Sequence, residues 1–211
     1  TAGPTFEPID PVRGITNHSS GKMGFAIARA AREAGAEVTL VAGPVHLPTP
    51  RGVRRHNVMT AQQMCHAGVP PATQHDVFIA TAAVADWRPV SSAEHKIKKE
   101  GTKSVPSFDL TENPDILAAV AGLSAAPYCV GFAAESERLL EHARAKMLRK
   151  GIPLIVGNLG PATFGRDDNA LVLIDAQDDR ALPPDGSRAD KLTLARALMQ
   201  DIAQRLQAET P

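Results

Sequence analysis

Five short, almost wholly apolar runs recur along the chain, and most are separated by amphipathic segments. The runs are Val38-Thr39-Leu40-Val41-Ala42, Val77-Phe78-Ile79-Ala80-Thr81, Cys129-Val130-Gly131-Phe132-Ala133, Leu154-Ile155-Val156-Gly157 and Leu171-Val172-Leu173-Ile174. A strand with one wet face alternates apolar and polar residues, whereas a strand covered on both faces is apolar throughout. Between the runs the period shifts to three and four. Met23, Ile27, Ala30 and Ala34 form one helical face, and Gly35 supplies a stop. Residues 60–67 read as a short helix capped by Thr60, with Met64 inward. Asn113-Pro114 opens a third helix, with Ile116, Leu117 and Val120 on its apolar side. Residues 135–150 form a fourth with Leu140, Ala143 and Met147 inward, ended by Gly151, and residues 191–206 form a last one with Ala195, Leu198, Ile202 and Leu206 inside. The pattern predicts an α/β fold: a Rossmann-like three-layer sandwich with a mostly parallel central sheet and helices on both faces. The run 171–174 reads as an edge strand open to antiparallel pairing. Residues 1–5 read as the end of a strand and its exit loop.

The 211 residues suit a single domain, 1–211. With 43% apolar and 22% charged residues the chain can bury a substantial core. Lys plus Arg and Asp plus Glu both number 23. That balance argues against a dedicated nucleic-acid binder. No stretch approaches the roughly 20 apolar residues of a membrane span, so no membrane association is expected. Cys65 and Cys129 are too few for a disulfide framework and lack metal-ligand spacing. A reducing compartment fits, with Cys129 as a buried small hydrophobe. The polar stretch 86–108, with Lys96, Lys98, Lys99 and Lys103, has little core-forming periodicity. A loop of that length predicts a lysine-rich flap or dimerisation arm at about 87–108.

Chemistry concentrates where the first helix begins, at Asn17-His18-Ser19-Ser20-Gly21-Lys22-Met23-Gly24. Free N–H groups at a helix start suit a phosphate, and the glycines permit close backbone approach. The spacing matches neither a P-loop nor a GxGxxG fingerprint. An ordinary helix capped by Asn or Ser is the plainer alternative. Arg13, between two prolines and the helix, suits a bidentate clamp on an oxyanion or a pair with Asp10 or Glu7. Lys146 and Lys150 share one helical face. Cations are also favoured at a helix end for structural reasons, so both readings stand at this level.

Longer motifs then bring a resemblance. Glu7-Pro-Ile-Asp-Pro-Val-Arg13, the 17–24 segment, Gly35-Ala-Glu-Val-Thr-Leu-Val-Ala-Gly-Pro44, Ala82-Ala-Val-Ala-Asp-Trp-Arg-Pro89, Lys96-Ile-Lys-Lys99, Asn113-Pro-Asp-Ile-Leu117 and Gly131-Phe-Ala-Ala-Glu135 occur in family order. Together they resemble the phosphopantothenoylcysteine synthetases. The resemblance implies a ligase that joins 4'-phosphopantothenate to L-cysteine through an acyl-cytidylate, converting CTP to CMP and pyrophosphate. ATP replaces CTP in eukaryotic relatives. It implies magnesium or manganese as the divalent cation, a homodimer, a cytoplasmic setting and a frequent fusion to a phosphopantothenoylcysteine decarboxylase domain. No flavin belongs to the synthetase part.

The same resemblance assigns residues. Asn17 matches the asparagine at the substrate carboxyl and acyl intermediate, with Arg13 holding substrate nearby and Lys96 at the triphosphate. Ser19, Ser20 and Gly21 line the phosphate-facing helix start. Ala82, Ala83, Val84 and Asp86 meet the nucleotide, as do Asn113, Pro114, Asp115, Ile116 and Leu117. Phe132, Lys146 and Lys150 complete the nucleotide site. One departure is Leu159 after Asn158, where relatives commonly carry an acidic residue. A non-catalytic nucleotide-binding protein and an NAD(P)-dependent oxidoreductase of similar fold are the alternatives.

Overall fold

A computed structural model of the chain describes residues 1–98, 106–135, 137–159, 163 and 165–209. The first half holds β1 (Phe6–Pro8), β2 (Gly14–Thr16), α1 (Lys22–Glu33), β3 (Thr39–Ala42), β4 (Arg54–Asn57), α2 (Ala61–Gly68), β5 (Val77–Ala80), β6 (Trp87–Pro89) and β7 (Leu110–Glu112). The second half holds α3 (Ile116–Ala121), β8 (Tyr128–Glu135), α4 (Leu139–Lys150), β9 (Leu154–Leu159), β10 (Asp168–Asn169), β11 (Leu171–Ile174), β12 (Asp179–Leu182), β13 (Ala189–Asp190) and α5 (Lys191–Glu209).

The central sheet has five strands in the order β12-β11-β9-β8-β5. β5, β8 and β9 are parallel, while β11 runs antiparallel to both β9 and β12. The sheet is therefore mixed, not mostly parallel. A parallel return needs a crossover of a dozen or more residues, usually helical. No helix lies between β9 and β11 among the described residues. β11 is also not an edge. The Asp175 carboxylate accepts the Gln177 and Asp178 N–H groups, both at 2.9 Å, and turns the chain into β12 outside it. Residues 1–5 run between β3 and β5. Ala2 N–H donates to the Val41 carbonyl at 3.0 Å and Ala83 N–H to the Gly3 carbonyl at 2.9 Å. These parallel bridges tie the β3–β4 pair to the main sheet.

Side-chain alternation separates two cores. Val130, Leu154, Val156, Leu171 and Leu173 pack under α1 and α5, while Cys129, Ala133, Ile155 and Ile174 pack under α3 and α4. Full burial of each such Leu or Ile contributes about 1.5–3 kcal/mol. Cys129 is 2% exposed, and burial pushes its thiol up to about 11.

Two helix starts differ from the sequence reading. α3 begins at Ile116, because the Asp115 carboxylate accepts the Ala118 N–H at 3.0 Å and makes Asp115 the cap, leaving Pro114 outside. α4 begins at Leu139, because β8 continues to Glu135 in register with β9. Leu140 is therefore 44% exposed rather than inward. Leu139 covers Gly157 instead, where a Cβ would lie 2.9 Å from its Cδ1.

α2 starts on Thr60 as read, with a reciprocal box: Thr60 Oγ1 accepts the Gln63 N–H and Gln63 Oε1 accepts the Thr60 N–H, both at 3.2 Å. Thr60→Ala is expected to lower stability by about 1 kcal/mol in a urea titration. An unchanged midpoint would show that the cap contributes nothing. The expected arm at 87–108 has an antiparallel β6–β7 ribbon at its base. Lys99 and Lys103 lie outside the described residues. No described helix is long and apolar enough to cross a membrane.

Candidate active site

A cavity of about 800 Å³ opens where β5, β8 and β9 end, bounded by the starts of α1, α3 and α5 and the last turns of α4. Ligands in α/β sheets bind outside the carboxyl ends of the strands.

The start of α1 forms one wall. Its N-cap is Gly21, in the left-handed region at φ 73°, and no side chain caps the helix. Asn17 and the serines therefore do not serve as its cap. Among the described residues Ser19 Oγ accepts only the Gly21 N–H, at 3.3 Å. The first helical bond runs from Phe25 N–H to the Gly21 carbonyl. The N–H groups of Lys22, Met23 and Gly24 have no partner among the described residues, and all three residues line the cavity with Ser19, Ser20 and Gly21. Such a helix end carries partial positive charge.

The opposite wall is α4. Lys146 Nζ donates to the Phe132 carbonyl at 2.7 Å. Burial pushes its ammonium below the ordinary lysine value, and neighbouring Lys150 adds to this. Lys150 Nζ meets both Asp115 carboxylate oxygens, at 2.6 and 2.5 Å. Burial tends to raise the Asp115 pKa. Lys150 and the Ala118 N–H outweigh it and hold that carboxyl below its usual range.

Asn17 is exposed at the cavity rim, where its Nδ2 donates to the Val84 carbonyl at 2.9 Å. One Nδ2 hydrogen and the Oδ1 atom are uncommitted among the described residues. Ala82, Ala83 and Val84 follow β5 into the cavity wall. Asp86 lies alongside. Asn113 holds this wall in shape, with its N–H on the Asp86 carbonyl and its Nδ2 on the Ala85 carbonyl, both at 2.8 Å. Pro114, Ile116, Leu117 and Phe132 also line the cavity, although Ile116 and Leu117 are 5% and 6% exposed and serve the core as well.

Arg13 and Lys96 do not line this cavity. Arg13 Nε donates to Asp10 Oδ2 at 3.0 Å, and its Nη2 reaches the Ile97 carbonyl at 2.8 Å. Asp10 is buried and also accepts the Val12 and Arg13 N–H groups, both at 2.8 Å. Arg13 lowers the Asp10 carboxyl far below the usual carboxylate range against the opposing effect of burial. The structure thus shows the Asp10 pair, which fastens the 93–97 segment to β1–β2.

Thr81, Glu112, Asn169 and Lys191 line the cavity without a signal in the sequence motifs, and Lys22 and Asn158, both within motifs, line it too. Lys191 was visible only as the start of an amphipathic helix. Nothing in its local pattern says that this start faces the same cavity as α1. Trp87, left without a role, lies in the lining and is 54% exposed.

Fold and cavity together define an α/β protein with a cation-lined cavity at the ends of its parallel strands. Residues 1–206 match the family model described as the DNA/pantothenate metabolism flavoprotein C-terminal domain, and the chain belongs to that family. A coenzyme A biosynthesis bifunctional protein, CoaBC, from Vibrio cholerae is 48% identical over 98% of this chain and 52% of its own length. The chain thus spans about half the length of such relatives. The crystal structure of the C-terminal domain of a CoaBC protein superposes with a TM-score of 0.78 at 35% identity, covering 99% of this chain and 94% of that one. A Cab2 H337A variant in complex with phosphopantothenate-cysteine shares the fold at 17% identity, with a TM-score of 0.75 over 97% of this chain and 84% of that one.

Proposed function

We propose that this chain is a CTP-dependent phosphopantothenate–cysteine ligase. The observation that carries the reading is one cavity that joins an uncapped helix start, a rim asparagine and the Lys146–Lys150 pair. An acid is a poor acyl donor because its oxygen leaves poorly. A carboxylate oxygen of 4'-phosphopantothenate attacks the α-phosphorus of CTP, forms a new P–O bond and expels pyrophosphate. The cysteine amine then attacks the acyl carbon, loses a proton and displaces CMP, leaving the amide. The lysines offset the charge of the triphosphate, and fixed donors of this kind act most where charge develops. Asn17 donates to the carboxyl oxygen without adding charge. Family membership and the likeness to CoaBC proteins support this reading.

The residues present fit a magnesium or manganese ion carried by the nucleotide. Such an ion keeps waters and phosphate oxygens and needs only one or two carboxylates. Asp86 and Glu112 line the cavity and would hold it. When bound, the ion draws charge from the phosphate oxygens.

Two further features belong to the proposal. A homodimer fits Val12, Trp87, Val90 and Leu110, which are 61, 54, 64 and 48% exposed on the two ribbons. It also fits Arg13 and Lys96, which lie outside their own subunit's cavity and would serve a second copy's, with the 87–108 arm as a closing flap. A cytoplasmic setting and an accompanying decarboxylase domain follow the same family reading, as does the Rossmann-like description of the sheet. The test is pyrophosphate release with phosphopantothenate, cysteine and magnesium, comparing CTP with ATP. Release with CTP is expected. Release with ATP alone would overturn the choice of nucleotide, and release with neither would overturn the ligase reading.

A further inference from the structure

If the ligase reading holds, two phosphate-bearing ligands share this cavity, and Lys146 and Lys150 stand at one wall only. The far end, where α1 and α5 begin on the other face of the sheet, is also cationic. Lys191, the first residue of α5, is 8% exposed. Its Nζ donates to the Thr163 carbonyl at 3.2 Å and to the Arg166 carbonyl. An ammonium has three donors, and the third meets no acceptor among the described residues. No described carboxylate forms an ion pair with it. Burial pushes this ammonium below its ordinary value and Lys22 adds to the effect, against the opposing charges of Asp167 and Asp168.

Lys22 stands beside it, with Nζ on Asp167 Oδ1 at 2.6 Å and on the Gly165 carbonyl at 3.0 Å. Asn169 is 3% exposed and lines the same cavity. Its Oδ1 accepts the Ala170 N–H at 2.9 Å, while its Nδ2 meets no acceptor among the described residues. A purely structural role, pinning the 163–166 backbone, accounts for two donors of Lys191. It does not account for the third donor or for the Asn169 amide, since polar groups buried without a partner are costly. α5 itself is closed to ligands, since Asp190 caps its N–H groups at 2.9 and 3.1 Å. The donors left over belong to Lys22, Lys191, Asn169 and the open start of α1.

We infer that Lys22, Lys191 and Asn169 form, with the α1 start, a second phosphate subsite separate from the Lys146–Lys150 wall. It takes phosphate oxygens, either from the polyphosphate tail of the nucleotide or from the phosphate monoester of the acid substrate. The incoming oxyanion accepts from the third Lys191 donor and from the Asn169 amide.

The experiment uses Lys22→Met, Asn169→Ala and Lys191→Met in the whole chain, each checked for wild-type melting. Inorganic pyrophosphate binding is measured by calorimetry, and KM is measured for CTP, for 4'-phosphopantothenate and for cysteine. Loss of one charge-assisted contact should weaken pyrophosphate binding or raise one phosphate ligand's KM by about 10- to 100-fold, with the KM for cysteine unchanged. A shift confined to CTP and pyrophosphate assigns the subsite to the nucleotide. A shift confined to phosphopantothenate assigns it to the acid. Unchanged values for all three phosphate probes, or an equal rise for cysteine, would overturn the subsite. If Lys191→Met does not fold, the other two variants decide. If wild type ligates nothing, the ligase reading fails by itself. Pyrophosphate binding that depends on Lys22 and Asn169 would still support the subsite, and binding indifferent to them would overturn it.

Discussion

Asn17→Asp should lower kcat by about 10²- to 10³-fold, the loss typical of removing a donor at developing negative charge, while the melting curve stays close to wild type. The second half of that expectation comes from the geometry. Asn17 is exposed and caps no helix, because Gly21 closes α1 without a side chain. Its one side-chain bond among the described residues is Nδ2 to the Val84 carbonyl. A carboxylate in its place loses that donor, faces a carbonyl oxygen, and repels the substrate's own carboxylate. Asn17→Ala removes the donor without the added charge and should fall between wild type and the aspartate. Steady-state pyrophosphate release, with thermal melts followed by circular dichroism, checks both halves. Turnover unchanged in the aspartate variant would refute the role, and a large drop in melting temperature would make Asn17 a structural residue.

Lys146→Met carries the second large effect. Methionine keeps most of the side-chain volume and removes a charge whose ammonium sits on the Phe132 carbonyl at 2.7 Å. We expect the KM for CTP to rise by about 10- to 100-fold, the range for one charge-assisted contact, with a smaller change in kcat. A pH profile separates charge from packing. The ammonium titrates below the ordinary lysine value of 10.5 because of burial and Lys150. The protonated form binds the triphosphate, so the wild-type KM for CTP should climb as pH rises through that lowered pKa. The methionine variant should lack this climb. Stability moves the other way. Between the lowered folded pKa and 10.5 the unfolded chain binds more protons, so wild-type stability rises with pH in that window. The variant should lose that slope as well. Identical CTP profiles in the two proteins would remove Lys146 from the nucleotide site.

The legibility of this molecule follows the range of the forces involved. The strands at 77–81, 129–133, 154–157 and 171–174 were readable because double-sided burial demands uninterrupted apolar residues. Thr60 and Gly151 were readable because capping and left-handed termination act within one turn. Antiparallel pairing at β11 was open in the sequence, but its place inside the sheet was not legible, since β12 reaches its outer side only through the Asp175 turn. The start of α4 slipped because pairing with β9 extended β8 through residues that also suit a helix. In the site, contiguous motifs led to Asn17, the α1 start and the 113–117 segment. Lys191 and Asn169 were missed because they reach the cavity only through distant packing, of α5 against α1 and of β10 against β13. Arg13 shows the converse. Its motif left a ligand clamp and a pair with Asp10 or Glu7 both open, and within one subunit the Asp10 carboxylate takes it.

The central claim is that a carboxylate oxygen becomes bonded to the nucleotide's α-phosphorus in this cavity. It is tested most directly with 4'-phosphopantothenate carrying ¹⁸O in both carboxyl oxygens, incubated with CTP, magnesium, cysteine and this chain. Mass analysis of the released CMP should find one ¹⁸O atom per molecule, delivered when the amine displaces the nucleotide. Product formation with unlabelled CMP would contradict the account, because the acid would then have been activated without ever joining the nucleotide.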